Sequence, residues 1–450
     1  MTLPVTAKIN ARNHLEIGGC DCVDLAQEFD TPLYVFDEAT LRRQCQSYQE
    51  AFGCRYDDVL ILYASKAFIN PALAAIFKEE GLGLDVVSGG ELYVARQSGF
   101  PLSKVYFHGN NKSSEELALA LEWDVGRIVV DNFHELELLN RLALERGQVV
   151  DILLRISPGV DPHTHAHITT GIVDSKFGFP IGASAPTGLR PIVTGQAETA
   201  LRQAMASPGL HLVGLHAHIG SQILELEPYR DTVRVLIEFA AAMAAKHGFR
   251  MEELSPGGGW GIRYTQADEP PALEEIAETV VNTLREETAR HQLPLPKLVV
   301  EPGRSIVGTA GVALYRVGAR KEIPGLRTYV SVDGGIADNV RPALYEARYE
   351  AIAANKAGDP ATETVTIAGK YCESSDILIQ EIALPPLTAG DLLAIPACGA
   401  YCLSLASNYN LARRPPIVLV KEGEARLIRR RESHEDLLRN DVWEGSGHAG

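Results

Sequence analysis

Eight short apolar runs alternate with amphipathic stretches between residues 59 and 301, and this alternation limits the chain's possible folds more than any other feature. The runs predict strands at 59–64, 83–87, 104–107, 127–131, 150–156, 211–217, 250–255 and 297–301. Segments of helical period lie between them, among them 71–80, 91–98, 114–123, 133–146 and 229–247, often with Gly or Pro at the breaks. A strand that returns through a helix must pair in parallel with the strand before it. Eight such units are the count that closes a (β/α)8 barrel, here over residues 38–309. A doubly wound open sheet uses the same alternation and is the rival arrangement.

The pattern changes beyond residue 310. Apolar runs at 312–315, 328–332, 364–367, 392–395 and 416–420 follow one another with few helical stretches between them, and 342–355 is the one helical expectation. This predicts a C-terminal, mostly antiparallel β-domain over 310–450. A further run at 32–36 places residues 1–37 in the same domain, since chain ends are often neighbours. The expected fold class is therefore α/β plus β, a TIM-like barrel with a second domain built from both ends of the chain. The Gly- and Ser-rich tail 444–450 is expected to be disordered.

Composition removes several function classes. A net charge of -16 argues against nonspecific nucleic-acid binding, which needs a basic surface. No apolar run is long enough for a membrane span and no signal peptide is visible, so the expected location is the cytoplasm. Seven cysteines, at 20, 22, 45, 54, 372, 398 and 402, are an odd number without framework spacing and read as reduced thiols.

A (β/α)8 barrel carries its active site at the C-terminal strand ends. Lys66 ends the first run, Val59-Leu60-Ile61-Leu62-Tyr63-Ala64-Ser65-Lys66. A lysine there can be partly desolvated and made nucleophilic, although a lone strand-end lysine more often reaches out to water. Asp85 and Ser88 lie at the second end, and Arg155 on the fifth run. The sixth leads into His216-Ala217-His218-Ile219-Gly220-Ser221-Gln222. Pro256-Gly257-Gly258-Gly259 is expected to follow the seventh strand, and Glu301-Pro302-Gly303-Arg304 ends the eighth. The last two loops are where such barrels often bind phosphate, and their glycines let backbone N–H groups come close to an anion.

Each of these has an ordinary alternative. The glycine triplet could be a plain turn, and its spacing is not the dinucleotide G-x-G-x-x-G. Either histidine could be a core residue, and Glu301 could simply pair with Arg304. His163, His165 and His167 alternate like metal ligands, but no partner stands at zinc spacing, so no metal is expected. Taken together, a lysine, a histidine, a glycine cradle and a carboxylate on the strand ends of one barrel suit pyridoxal phosphate. That cofactor needs an amine for its aldehyde, a phosphate site and a group facing its ring nitrogen.

On these residues the chain resembles the fold-type III pyridoxal-phosphate decarboxylases, and within them the diaminopimelate decarboxylases. The likeness covers nearly the whole chain. It rests on Tyr63-Ala64-Ser65-Lys66, Asp174-Ser175-Lys176-Phe177-Gly178, the His216 to Gln222 run, Gly257-Gly258-Gly259 and Glu301-Pro302-Gly303-Arg304 in the barrel, and on Cys372-Glu373-Ser374-Ser375-Asp376 and Gly399-Ala400-Tyr401 beyond it. The resemblance implies decarboxylation of meso-2,6-diaminopimelate to L-lysine with pyridoxal 5'-phosphate as cofactor. It gives Lys66 the covalent attachment, with Asp85 in the cofactor site and His218 stacked on the ring. Ser221, Gly257, Gly258, Gly259 and Gly303, with Arg304 and Tyr401, hold the cofactor, and Glu301 meets the ring nitrogen. Arg304, Arg341 and Tyr345 clamp the substrate's distal carboxylate, with Tyr401 beside them, and Glu373 holds the distal ammonium. Cys372 protonates the carbanion. The resemblance also implies a homodimer whose active sites are shared, with Cys372 and Glu373 serving a neighbouring subunit.

The chain departs from the family pattern at two places. Ser375 stands where Gly is common, and Ile336-Ala337-Asp338-Asn339 precedes Arg341 where a Met-Asn-Asp order is commoner. Residues 183–191 read as a surface loop. Sibling decarboxylases of arginine, ornithine or carboxynorspermidine would use the same cofactor machinery. Two clamp arginines oppose a purely basic substrate, and carboxynorspermidine stays open. A racemase of the same plan would need a second base facing Lys66 and no Cys372-Glu373 pair. A non-catalytic regulator would have no use for Lys66 and Cys372.

Overall fold

The structure, a computed structural model, describes residues 2–161, 175–182 and 195–442. His163, His165, His167, Asp174, the 183–191 loop and the 444–450 tail lie outside the described residues. The chain divides into two compact units. One holds Arg42–Arg263 and Asp268–Val307, and the other holds Met1–Leu41, Tyr264–Ala267 and Gly308–Gly450.

The first unit is a closed parallel barrel. Its strands are β1 (Val59–Ala64), β2 (Gly83–Val86), β3 (Val105–Phe107), β4 (Arg127–Val130), β5 (Val150–Ser157), β6 (Leu210–His216), β7 (Glu253–Gly258) and β8 (Lys297–Glu301). Each pairs in parallel with the next, and β8 pairs with β1, Leu298 opposite Val59. That last pairing closes the ring and excludes the open doubly wound sheet.

Alternate residues of these strands meet inside the barrel, where Leu62, Tyr106, Val129, Leu153, Val213 and Val299 form one buried cluster. The neighbours point the other way, towards the helices. The Tyr63 ring lies 4.0 Å from that of Phe77 on the helix Pro71–Glu79. Polar residues start several helices just past the strand ends. Asn70, Ser88, Ser113 and Asn132 each accept a backbone N–H of the helix that follows, meeting donors the first turn leaves open.

The seventh strand differs from the expectation of 250–255. It starts at Glu253 and runs through Pro256 and Gly257 to Gly258, so two of the three glycines belong to the strand itself. Weak strand formers hid this in the sequence, and tertiary pairing sets it: Gly257 lies opposite Val300 and Gly258 opposite Glu301.

The second unit is a mostly antiparallel sheet in the order Ile377–Leu384, Glu363–Ala368, Arg327–Val332, Gly311–Ile323, Leu33–Asp37, Ile417–Lys421 and Glu424–Arg429. Leu392–Ile395 pairs with Gly311–Ile323 and with the short strand Ile352–Ala353. Two pairings are parallel, Arg327–Val332 with Glu363–Ala368 and Leu33–Asp37 with Ile417–Lys421. Leu33–Asp37, the strand expected at 32–36, is thus an interior member of this sheet, and the short strands Lys8–Ile9, Leu15–Ile17 and Cys20–Asp21 before it form a separate sheet.

The helix expected over 342–355 is only Arg341–Tyr345. Glu346 takes a left-handed conformation at φ 53°, which ends the helix, and 352–353 is strand. Ile377–Leu384 had no counterpart among the expected strands.

Candidate active site

The C-terminal strand ends of the barrel gather the residues singled out there. Lys66 sits in a one-turn 3-10 helix directly after β1, Ser65–Ala67. Its Nζ is 3.8 Å from Oδ2 of Asp85, a buried residue of β2. Burial, with Glu301 and Glu91 adding to it, pushes the Asp85 carboxyl up to about 7, against the opposing charge of Lys66. The Asp85 Oδ1 atom is buried without a hydrogen-bond partner among the described residues.

Glu301, at the end of β8, is held from two sides. His216 Nε2 lies 3.0 Å from its Oε2, and Ser255 Oγ donates to its Oε1 at 2.8 Å. His108 Nε2 is 3.6 Å from the same Oε1 and 3.7 Å from Asp85 Oδ1. Burial alone would raise the Glu301 carboxyl, but His216, His108 and the hydrogen bonds hold it well below the ordinary carboxylate range. Burial pushes both imidazoles in the other direction, below the ordinary histidine value. The hydrogen bonds from His216 and Ser255 favour the ionised carboxylate and fix its direction. Ligand atoms of His108, His216 and Glu301 lie within 4.8 Å of one another, a spacing that a metal ion could use. The His216–Glu301 hydrogen bond already accounts for this approach.

His218 follows β6, and its Nδ1 faces the N–H of Gly258 at 3.4 Å. Burial and the nearby cations Lys66 and Arg155 push its pKa well below the ordinary value, leaving a neutral ring. The glycines beside it are required by space. A Cβ at Gly257 would lie 2.4 Å from Ala217 O, at Gly258 1.9 Å from Glu301 O, and at Gly259 2.1 Å from Gly220 O. Gly257 and Gly259 also have φ of 82° and 96°, open mainly to glycine. A Cβ on Gly303 would lie 3.0 Å from that of Ala64. Arg304, buried, donates from an Nη to Ser221 Oγ at 2.8 Å. The structure thus brings Lys66, Asp85, His218, Ser221, Gly257, Gly258, Gly259, Glu301, Gly303 and Arg304 to one end of one barrel.

Three polar groups of this end carried no role in the sequence reading. His108 is the residue after β3, and Asp131 the residue after β4. Asp131 Oδ1 lies 3.7 Å from Arg155, whose guanidinium rests 4.2 Å above the Phe177 ring, and Asp131 Oδ2 accepts the N–H of Gly178. Ser255, inside β7, is the third. The available signal was the position itself, the first polar residue at or past each strand end.

The remaining predicted residues belong to the second unit. Arg341 and Tyr345 share one short helix. Arg341 is buried, stacks 4.6 Å from the Tyr264 ring and donates to the Tyr349 hydroxyl. Cys372 and Glu373 lie in the exposed loop between Glu363–Ala368 and Ile377–Leu384, where Tyr409 OH donates to Glu373 Oε1 at 2.6 Å. Tyr401 follows Leu392–Ile395 with φ 61°. All seven cysteines are free.

The profile of the family described as "Pyridoxal-dependent decarboxylase, pyridoxal binding domain" matches residues 38–308. The diaminopimelate decarboxylase of Bacillus subtilis is 47% identical over 442 residues, covering 98% of both chains. The chain belongs to the diaminopimelate decarboxylase family. The family's enzyme from Mycobacterium tuberculosis is 41% identical over 435 residues, 95% of this chain and 94% of that one. Among solved structures, the M. jannaschii diaminopimelate decarboxylase in complex with L-lysine superposes with a TM-score of 0.90 at 36% identity, covering 98% of this chain and 99% of that one.

The residues at the barrel end suit the family's pyridoxal cofactor on the geometry alone. An amine stands beside a buried acid, an ionised carboxylate is fixed on the eighth strand, and the glycine-rich strand ends have no room for side chains.

Proposed function

We propose that this chain decarboxylates meso-2,6-diaminopimelate to L-lysine and carbon dioxide with pyridoxal 5'-phosphate as its cofactor. The observation that supports this most is Lys66 beside Asp85 at the barrel end that also holds the ionised Glu301. In this reading residues 38–309 are the cofactor-binding domain, and residues 1–37 join 310–450 in the other.

Bound pyridoxal phosphate supplies an electron sink for the pair released when the carbon–carboxylate bond breaks. Lys66 provides the amine for the cofactor's aldehyde, with Asp85 next to it. Glu301 keeps a proton at the ring nitrogen, because it stays ionised and His216 and Ser255 fix its direction. His218, a neutral flat ring, stacks on the cofactor. Ser221, Gly257, Gly258, Gly259 and Gly303, with Tyr401, hold the phosphate, and Arg304 orders Ser221 through its hydrogen bond. Arg304, Arg341 and Tyr345 bind the distal carboxylate, since a guanidinium fork matches a carboxylate's two oxygens. Glu373 binds the distal ammonium. Cys372 gives its thiol proton to the carbon that loses carbon dioxide. In this reading Cys372 and Glu373 act on the cofactor of a neighbouring subunit, so the working form is a homodimer, and it is cytoplasmic. Among the described residues no helix is long and apolar enough to cross a membrane.

Lys66→Ala tests the reading. The variant should lose both turnover and the visible absorbance of covalently held cofactor. An alanine variant that still binds the cofactor covalently would overturn it.

A further inference from the structure

Asp376 is the fifth residue of the Cys372-Glu373-Ser374-Ser375-Asp376 run, and the roles proposed above leave it unused. It is buried, at 2% exposure, whereas the four residues before it are exposed. Its Oδ1 accepts the backbone N–H of Ile336 at 2.8 Å and its Oδ2 that of Tyr371 at 2.8 Å. Its own backbone closes the loop, because its N–H donates to Glu373 O at 3.1 Å and its carbonyl accepts from Gly369 at 2.9 Å. One side chain thus ties both ends of the Cys372 loop to the Gly334-Gly335-Ile336 turn.

The turn is shaped to receive this carboxylate. A Cβ on Gly335 would lie 2.3 Å from Asp376 Oδ1, and one on Gly369 would lie 2.1 Å from Oδ2. Gly335 has φ 149°, and Lys370 donates to Gly334 O at 3.2 Å. A second buried carboxylate holds the turn from the other side. Asp338 Oδ1 accepts the N–H of Gly335 at 3.0 Å, and its Oδ2 accepts from the hydroxyls of Tyr315 and, at 3.2 Å, Tyr34. Asp338 lies three residues before Arg341, which starts the short helix carrying Tyr345. The turn is therefore grasped by Asp376 from the Cys372 loop and by Asp338 from the segment that leads to the Arg341 helix.

We propose that Asp376 is a positioning residue for the reaction. Through the Gly334-Gly335-Ile336 turn it fixes the Cys372–Glu373 loop in register with the Asp338 segment that carries Arg341 and Tyr345. The loop that serves the neighbouring subunit's site and the segment that carries this chain's own carboxylate clamp are thereby held together by one carboxylate. The proposal rests on the roles given to Cys372 and Glu373 above. It goes further in naming what holds them. A carboxylate is needed because two N–H donors converge on it. Asn in its place would turn one acceptor into an NH2 facing an N–H.

The test uses the full-length holoenzyme in a Cys54→Ser background, which leaves Cys372 as the one exposed thiol of the seven. Asp376→Asn should raise the alkylation rate of Cys372 by iodoacetamide at least threefold while cofactor absorbance stays at the parent level. It should lower kcat at least tenfold, and in a Cys372→Ala background it should lower kcat by less than twofold further. Should Asp376→Asn fail to fold, Ile336→Pro removes one of the two N–H donors from the other side and must give the same pattern. An unchanged or slower alkylation rate overturns the proposal, and so does a kcat loss that multiplies fully with that of Cys372→Ala. If Cys372→Ala alone keeps the parent kcat, the proton-donor reading falls instead, and the alkylation rate still decides whether Asp376 places the loop.

Discussion

Replacing Asp85 by Asn should stabilise the cofactor-free protein, and by more at pH 7 than at pH 5. Asp85 is 1% exposed, and burial is the main reason its carboxyl titrates near 7 rather than near its ordinary 3.8. The sign follows from proton binding. Between these two values the unfolded chain has released the proton and the folded chain still holds it. Stability is then fully present below the unfolded value and is lost as pH rises towards the folded one. Each pH unit in that window removes about 1.4 kcal/mol, so the step from pH 5 to pH 7 removes roughly 2–3 kcal/mol from the parent. Asparagine fills the same space and has no proton to lose. Asp85 Oδ1 has no hydrogen-bond partner among the described residues for the amide to break, and the cation beside Oδ2 is Lys66, its Nζ 3.8 Å away. Thermal and urea unfolding of both proteins without cofactor, at pH 5, 6, 7 and 8, would measure the gap between them, and the pH dependence of groups that do not interact with Asp85 cancels in that difference. The gap should widen through pH 7 and level off above it. A gap that stays constant, or a parent that gains on the variant as pH rises, would refute the reasoning.

Two further outcomes follow from the proposed site. Arg341→Met should narrow the preference for meso-diaminopimelate over L-lysine mainly by losing the good substrate, read as a fall in kcat/KM for the first with little change for the second; an unaltered preference would remove Arg341 from the clamp. Mixing a Lys66→Ala chain with a Cys372→Ala chain under verified subunit exchange should restore activity that neither parent has, because one site of each mixed dimer then carries both intact residues. No recovery would show that Cys372 serves its own barrel.

Sequence and structure agree best where local chemistry decides. The run Val59–Ala64 forms a strand with the expected ends because it is apolar throughout and its end coincides with the turn of Ser65–Ala67. The β7 strand was displaced by three residues in the sequence reading, since Pro256, Gly257 and Gly258 are poor strand formers that only pairing with β8 keeps extended. The helix beginning at Arg341 was overextended because nothing in 346–355 announces the left-handed turn at Glu346. At the barrel end, Lys66, His218 and Glu301 were legible as polar residues that close apolar runs. Their supports were not legible. His216 and Glu301 are 85 residues apart, and Asp376 and Ile336 are 40 apart. A hydrogen bond between such pairs exists only once the strands have set the register.

The central claim is tested most directly by carbon dioxide release from a panel of amino acids with pyridoxal phosphate present: meso-diaminopimelate, L-lysine, L-ornithine, L-arginine and carboxynorspermidine. A site built to hydrogen-bond a buried group rejects an analogue that lacks it by a factor on the order of 10⁴, and L-lysine, L-ornithine and L-arginine lack the distal carboxylate. Release should therefore come from meso-diaminopimelate, with one L-lysine formed for each carbon dioxide, and kcat/KM for the others should be lower by about that factor. Equal release from L-lysine and meso-diaminopimelate, or release from carboxynorspermidine alone, would contradict the account.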